Sequence, residues 1–207
     1  MTLRSLVCAA LLVALVRTAR AQADPLAART KGRADAPVTL FEMSDFQCPF
    51  CRGFALETMP ALDSEYVRTG KVRFIYVNFP LTRLHPNAQA AAELGVCAAR
   101  QGKFWPLHDL LFRHQTQWAG LANPVSFFLA LGDSAHLDRP RLARCMTARA
   151  AQAEVDADAA SAANAGAAAT PTFYVEKLLV SGAAPLAVFR HLLDSLYQAK
   201  TGRGGAR

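Results

Sequence analysis

The 207-residue sequence is poor in cysteine, in charge and in long apolar runs. Five cysteines are too few for a disulfide-stapled miniprotein, in which a dense framework of bridges replaces the core. Charged residues make up 19% and hydrophobic residues 52%, a balance that excludes a largely disordered chain. No run of five or more Lys or Arg occurs, so the formal charge of +7 carries no nucleic-acid footprint. The longest apolar run, residues 6–16, falls short of the roughly 20 residues that span a bilayer. No histidine has metal-ligand spacing with another histidine or an acid, so no metal site is expected. Repeats are also absent. What remains is a length suited to one domain with a sizeable insertion, and enough apolar residues to fill its core.

That apolar run belongs to an address. Arg4 precedes it, and Ala19-Arg20-Ala21 or Ala21-Gln22-Ala23 supplies small residues in the cleavage pattern, so residues 1–23 read as a secretory signal peptide. The alternative is a retained anchor. Cleavage removes Cys8 with three arginines and no acid, leaving four cysteines and a charge of +4. It also places the mature chain in an oxidising compartment, periplasmic or extracellular.

Residues 24–36 form a small, polar lead-in. Residues 38–43 (VTLFEM) read as a buried strand, 50–68 as a helix kinked at Pro60, and 72–79 as a second strand. Strand, helix, strand within about forty residues is a βαβ unit with parallel strands. Residues 86–166 hold no convincing strand. Asn123-Pro124 opens a helix stopped by Gly132, Asp138 caps another, and residues 148–169 are Ala-rich. Residues 172–175 and 178–180 are short strands joined at Glu176-Lys177, residues 185–200 are a last helix, and 201–207 a disordered tail. The expected fold is α/β: a thioredoxin-like domain from residues 37–85 and 167–200, with an inserted α-helical domain at 86–166.

Cys48-Pro49-Phe50-Cys51 follows the first strand at the start of a helix. A helix N-terminus offers unpaired N–H groups and partial positive charge, which favour a thiolate on the first cysteine. Cys48 is therefore the expected exposed nucleophile, and Cys51, one turn on, the buried resolving thiol. A zinc site would need a second close pair, but Cys97 and Cys145 are 48 residues apart. A static disulfide across so tight a ring is the other bland reading.

Residues 41–51, FEMSDFQCPFC, resemble the active-site segment of DsbA-like thiol:disulfide oxidoreductases. So do, in order, LHPNA at 84–88, QGKFW at 101–105 with His108-Asp109, and ATPTF at 169–173. The resemblance spans roughly residues 36–195. It implies that Thr170-Pro171 is a cis-proline loop lying against the nucleophilic sulfur and pairing with bound peptide. It implies that Glu42 is a buried acid able to take a proton as Cys51 reacts; read alone, Glu42 also fits a strand edge facing water. Strongly oxidising members carry histidine where this chain has Phe50, so that part of the thiolate stabilisation is missing. Phe50 and Phe46 can instead form an apolar rim for unfolded chains, or, for Phe46, pack on the inserted helices.

Cys97 and Cys145 each fall on the apolar side of a helix in the insertion, and in an oxidising compartment they are expected to pair; buried free thiols are the alternative. The expected activity is oxidation of reduced exported proteins, with no cofactor beyond the Cys48–Cys51 disulfide. The resemblance further implies a membrane quinone-linked protein that reoxidises the pair. About 14 residues separate cleavage site and first strand, too few for the dimerisation segment of V-shaped isomerases, so a monomer is expected. A reductase or isomerase, or a non-catalytic binding module on the same scaffold, are the rivals.

Overall fold

Two seven-residue strands centre the fold in the computed structural model of the chain, which describes residues 24–202. Residues 1–23, where a signal peptide is expected, and residues 203–207 of the expected tail lie outside the described residues. Val38–Ser44 (β2) and Val72–Asn78 (β3) run parallel, in register from Val38 opposite Val72 to Ser44 opposite Asn78. Thr172–Val175 (β4) pairs antiparallel with β2, and Leu178–Ser181 (β5) pairs antiparallel with β4. Glu176 and Lys177 close that hairpin, both at positive φ. The two halves thus share one sheet.

A fifth strand comes from the lead-in, which is more than a polar tether. Residues 27–29 form a 3-10 turn and Thr30–Lys31 (β1) adds an antiparallel edge to β3, completing the order β1-β3-β2-β4-β5. Arg29, at 0% exposure, pairs with Asp158 and Glu154, and Asp158 also accepts from the Asn78 side chain at 2.7 Å. A buried charge persists only when paired and hydrogen-bonded. Arg29 has partners for that purpose, though they lie more than 120 residues away.

Alternation along β2 divides the core. Val38 and Leu40 face a layer built from Phe54, Met59, Leu62, Phe74, Phe173 and Phe189. Met43 faces the other way, with Ile75, Val77 and Ala162. Glu42 therefore shares the face of Leu40.

The helix after the cysteines runs through residues 49–67: Pro49–Gly53 (α1), a π turn over Phe54–Thr58, Met59–Leu62 (α2) and a second π turn over Asp63–Val67. Pro60 has no N–H to donate, and the widened turn just before it absorbs the missing bond. Helical backbone continues through the expected kink site. Ala88–Ala99 (α3), Phe104–Arg113 (α4), Gln115–Trp118 (α5), Val125–Ser134 (α6), Arg139–Thr147 (α7) and Gln152–Asn164 (α8) lie between β3 and β4. Leu186–Thr201 (α9) follows β5 and ends at left-handed Gly202.

Gly132 does not stop its helix, since α6 continues to Ser134. A Cβ at Gly132 would overlap Leu142 Cδ2, so this glycine lets α7 approach α6 closely. Asp138 caps α7, accepting the Arg141 N–H at 2.7 Å. Among the described residues no helix is long and apolar enough to cross a membrane.

Cys97 on α3 and Cys145 on α7 are joined in a disulfide. Closing a loop of this length stabilises the native state by about 4 kcal/mol in the chain-entropy account. Replacing both with alanine is expected to lower the urea-unfolding free energy by about that amount. An unchanged midpoint and slope would show that the bridge constrains little.

Candidate active site

The C-terminal end of β2 delivers the chain directly into the Cys-Pro-Phe-Cys turn. Cys48 is the last extended residue (φ −70°, ψ 124°) and Pro49 the first helical one, where its missing N–H leaves nothing unpaired. The Cys48 carbonyl accepts from Arg52 N–H at 3.1 Å, closing the first helical turn. Cys48 and Cys51 are free thiols.

Cys48 is only 3% exposed, against the open thiol expected. The far loop approaches it: the thiol donates to the Thr170 carbonyl at 3.3 Å, and the Thr170–Pro171 peptide is cis. The Cys48 thiol is lowered to about 6. The hydrogen bond from Cys51 leads, helped by the Thr170 side chain and the backbone N–H groups of Cys51 and Phe50, while burial opposes them. No histidine contributes. The backbone and the second thiol thus supply stabilisation that Phe50 cannot.

Cys51 is its opposite. Burial pushes this thiol well above the usual range, and the neighbouring Cys48 and Glu42 push it further. The Asp45 N–H lies 3.5 Å from its sulfur. Two thiols three residues apart are driven to opposite protonation states.

Glu42 is 1% exposed on the central strand, so the edge-strand reading does not hold. Burial raises its carboxyl to about 8; the Ser44 side chain opposes this and Cys48 adds to it. Tyr76 stands opposite Glu42 on β3, its phenol also driven upward, first by burial and then by Glu42 and Cys51. Neither Glu42 Oε1 nor the Tyr76 hydroxyl has a hydrogen-bond partner among the described residues.

Phe50 projects at 66% exposure beside the cysteines, as the rim reading requires. Phe46 does not join it. Buried, its ring stacks on Tyr76 at 5.0 Å and packs against Phe104, His108 and Phe112 of α4. An aromatic between strand and inserted helices buries more area than one at the rim, and here the core takes it.

Other residues around the turn lie outside the expected set. Asp45 is buried and accepts from Gln47 N–H at 2.7 Å and Leu81 N–H at 2.9 Å, with His85 Nδ1 2.7 Å from Oδ2. It links the cysteine turn to the loop after β3, where Leu84 is exposed. Gln47 and Gln115 bridge the turn to the helical block. The sequence signal for Asp45 and His85 is their presence in the resembling segments; Gln115 has none.

A five-stranded sheet with a Cys-x-x-Cys turn at a helix N-terminus, opposite a cis X-Pro peptide, defines a thioredoxin-fold protein with a dithiol site. The sequence profile of the thioredoxin family matches residues 26–195, and the chain belongs to that family. Its fold is DsbA-like. Oxidised BdbD from Bacillus subtilis superimposes with a TM-score of 0.76 over 82% of this chain and 92% of that one, at 22% identity. A thioredoxin-like oxidoreductase from Silicibacter pomeroyi gives 0.65 over 80% and 90%, at 27% identity. In sequence, 84 residues are 36% identical to a probable disulfide bond formation protein D of Bacillus anthracis, covering 41% of this chain and 39% of that protein. A longer match, 152 residues at 35% identity and 73% of this chain, is to the Na(+)/H(+) antiporter NhaA 3 of Salinispora tropica. That stretch is 22% of the antiporter, so the chain spans about a fifth of the length of this relative.

Proposed function

We propose that the protein is a thiol:disulfide oxidoreductase of the periplasm or cell exterior that introduces disulfides into exported proteins. The observation that carries this reading is the opposed pair, Cys48 lowered to about 6 and Cys51 raised, under the Thr170–Pro171 loop. In the oxidised state Cys48 and Cys51 share a disulfide. A client thiolate attacks Cys48 Sγ, the Cys48–Cys51 bond breaks, and Cys51 leaves as a thiolate that takes a proton from Glu42. The client's second thiolate then attacks its own sulfur in the mixed disulfide and releases Cys48 as a stable thiolate. Two electrons have passed from client to Cys48–Cys51, and the client holds a new disulfide.

A thiolate favoured at Cys48 makes Cys48 a good leaving group and stabilises the reduced protein, which is what an oxidant needs. The Thr170 carbonyl lies beside the sulfur and suits a backbone contact to an extended client, with Phe50 offering apolar surface. Thr170, Pro171 and Phe50 are the proposed client-binding residues. Turnover needs a two-electron oxidant, and a membrane quinone-linked protein fits that part; the enzyme acts as a monomer without a separate cofactor. The disulfide-formation name carried by the Bacillus anthracis relative supports the same direction. The antiporter name describes proteins about four-fifths of whose length has no counterpart in the match.

Equilibration of the Cys48–Cys51 pair with glutathione tests the direction. An oxidase is expected to equilibrate near or above the extracytoplasmic range, on the order of −200 mV or higher. A strongly negative couple, with Cys48 titrating as an ordinary thiol, would leave a reductase or a binding module instead.

A further inference from the structure

We propose that Gln115, at the head of α5, is a positioning residue for the nucleophile: its side-chain amide holds the Cys48 peptide so that the sulfur stays against the first helical turn. The proposal rests on the oxidoreductase reading of the cysteine turn and says how the helical block acts on it.

Gln115 is 4% exposed, and Nε2 donates to two carbonyls of the active-site turn, Phe46 at 2.7 Å and Cys48 at 2.9 Å. An amide nitrogen has two hydrogens, and both are used. These carbonyls bracket the point where the chain passes from strand-like to helical. The Cys48 carbonyl also closes the first helical turn through Arg52. Its direction fixes the Cys48 peptide plane, and with it where the side chain points.

Without Gln115 the Cys48 carbonyl keeps only the Arg52 N–H, and the Phe46 carbonyl loses its side-chain donor. A buried carbonyl without a donor costs about 1–3 kcal/mol, enough for a short turn to shift in search of one. Rotation at Cys48 would swing Sγ away from the Phe50 and Cys51 N–H groups that lower its thiol. Glutamine suits the task because it is neutral. A carboxylate at that place would face two carbonyls with no proton to give.

The donor itself is anchored. Trp118, at the other end of α5, is fully buried and donates to the Leu111 carbonyl at 2.9 Å. Just beyond it the Ala119 carbonyl accepts from Gln47 at 2.8 Å and from Asn87 at 3.2 Å. Gln47 in turn accepts the Asn87 N–H at 2.7 Å. The turn grips the helical block through Gln47, and the block grips the turn through Gln115.

The test is the pH profile of Cys48 alkylation by iodoacetamide in the reduced, full-length protein. Gln115→Met keeps the bulk and removes the donor. Its profile is expected to move up by about one pH unit, with alkylation at pH 5 about tenfold slower than wild type. Asp138→Ala, which removes the α7 cap, serves as a control: a lower melting temperature with an unmoved profile. A Gln115→Met protein that melts lower but keeps the wild-type profile would show a purely structural glutamine and overturn the proposal. So would an equal profile shift in Asp138→Ala. If Gln115→Met does not fold, Gln115→Glu takes its place, and an unmoved profile there also overturns the proposal. A wild-type profile with the midpoint of an ordinary thiol removes the oxidoreductase reading itself, and this proposal with it.

Discussion

Cys48→Ser is expected to abolish exchange with client thiols, whereas Cys51→Ser is expected to retain a reactive Cys48 and accumulate mixed disulfides. The difference lies in ionisation. With its thiol near 6, about nine Cys48 groups in ten are thiolate at pH 7. Cys51, held well above its usual range by burial and by the neighbouring Cys48, stays protonated at that pH. Only the thiolate attacks a disulfide or leaves readily, so losing Cys48 removes the ionised group on which exchange depends.

A second substitution at position 51 sharpens the result. The hydrogen bond from Cys51 is the first cause of the lowered Cys48 thiol, and a serine hydroxyl can still donate it. Cys51→Ala cannot. Alkylation of Cys48 at pH 6 should therefore be near wild type in Cys51→Ser and several-fold slower in Cys51→Ala. Trapped client complexes on a non-reducing gel check the mixed disulfide. Equal alkylation in the serine and alanine proteins would mean that the helix backbone alone stabilises the thiolate.

The cysteine turn is legible in the sequence because its chemistry is local: strand, Pro at the first helical position and two cysteines one turn apart are all read within fourteen residues. The sheet is legible for a similar reason, since VTLFEM and VRFIYVN carry their burial in their own composition. What stays hidden depends on partners far along the chain. Arg29 looks like a solvated charge until Asp158, 129 residues on, is brought to it. Gln115 is one polar residue among several in HQTQ, and only folding sets it 2.9 Å from a carbonyl 67 residues earlier. Phe46 shows the limit of local reading from the other side, because nothing near it says whether rim or core takes the ring. Gly132 defeats the rule that treats glycine as punctuation, because the demand on it comes from Leu142 of the next helix.

Glu42→Gln is expected to stabilise the folded protein, increasingly as pH rises. A carboxyl whose native value is about 8 instead of 4.5 binds its proton more tightly folded than unfolded. Between those values the native state holds more protons, so stability falls as pH climbs. The loss begins near pH 4.5 and is complete above about pH 8, growing by about 1.4 kcal/mol for each pH unit between them. Neutral glutamine escapes it. The variant should match wild type at pH 4, gain roughly 3 kcal/mol at pH 7 and up to about 5 kcal/mol above pH 8. Denaturant unfolding of the reduced protein at several pH values measures this directly. The same substitution removes the group proposed to protonate the departing Cys51, so mixed-disulfide formation should slow although the fold is firmer. That combination separates a working acid from a merely buried one: greater stability with unchanged exchange would make Glu42 a burden on the fold with no part in the chemistry. A flat difference across pH would instead place its carboxyl in the ordinary range and remove it as a proton carrier for Cys51.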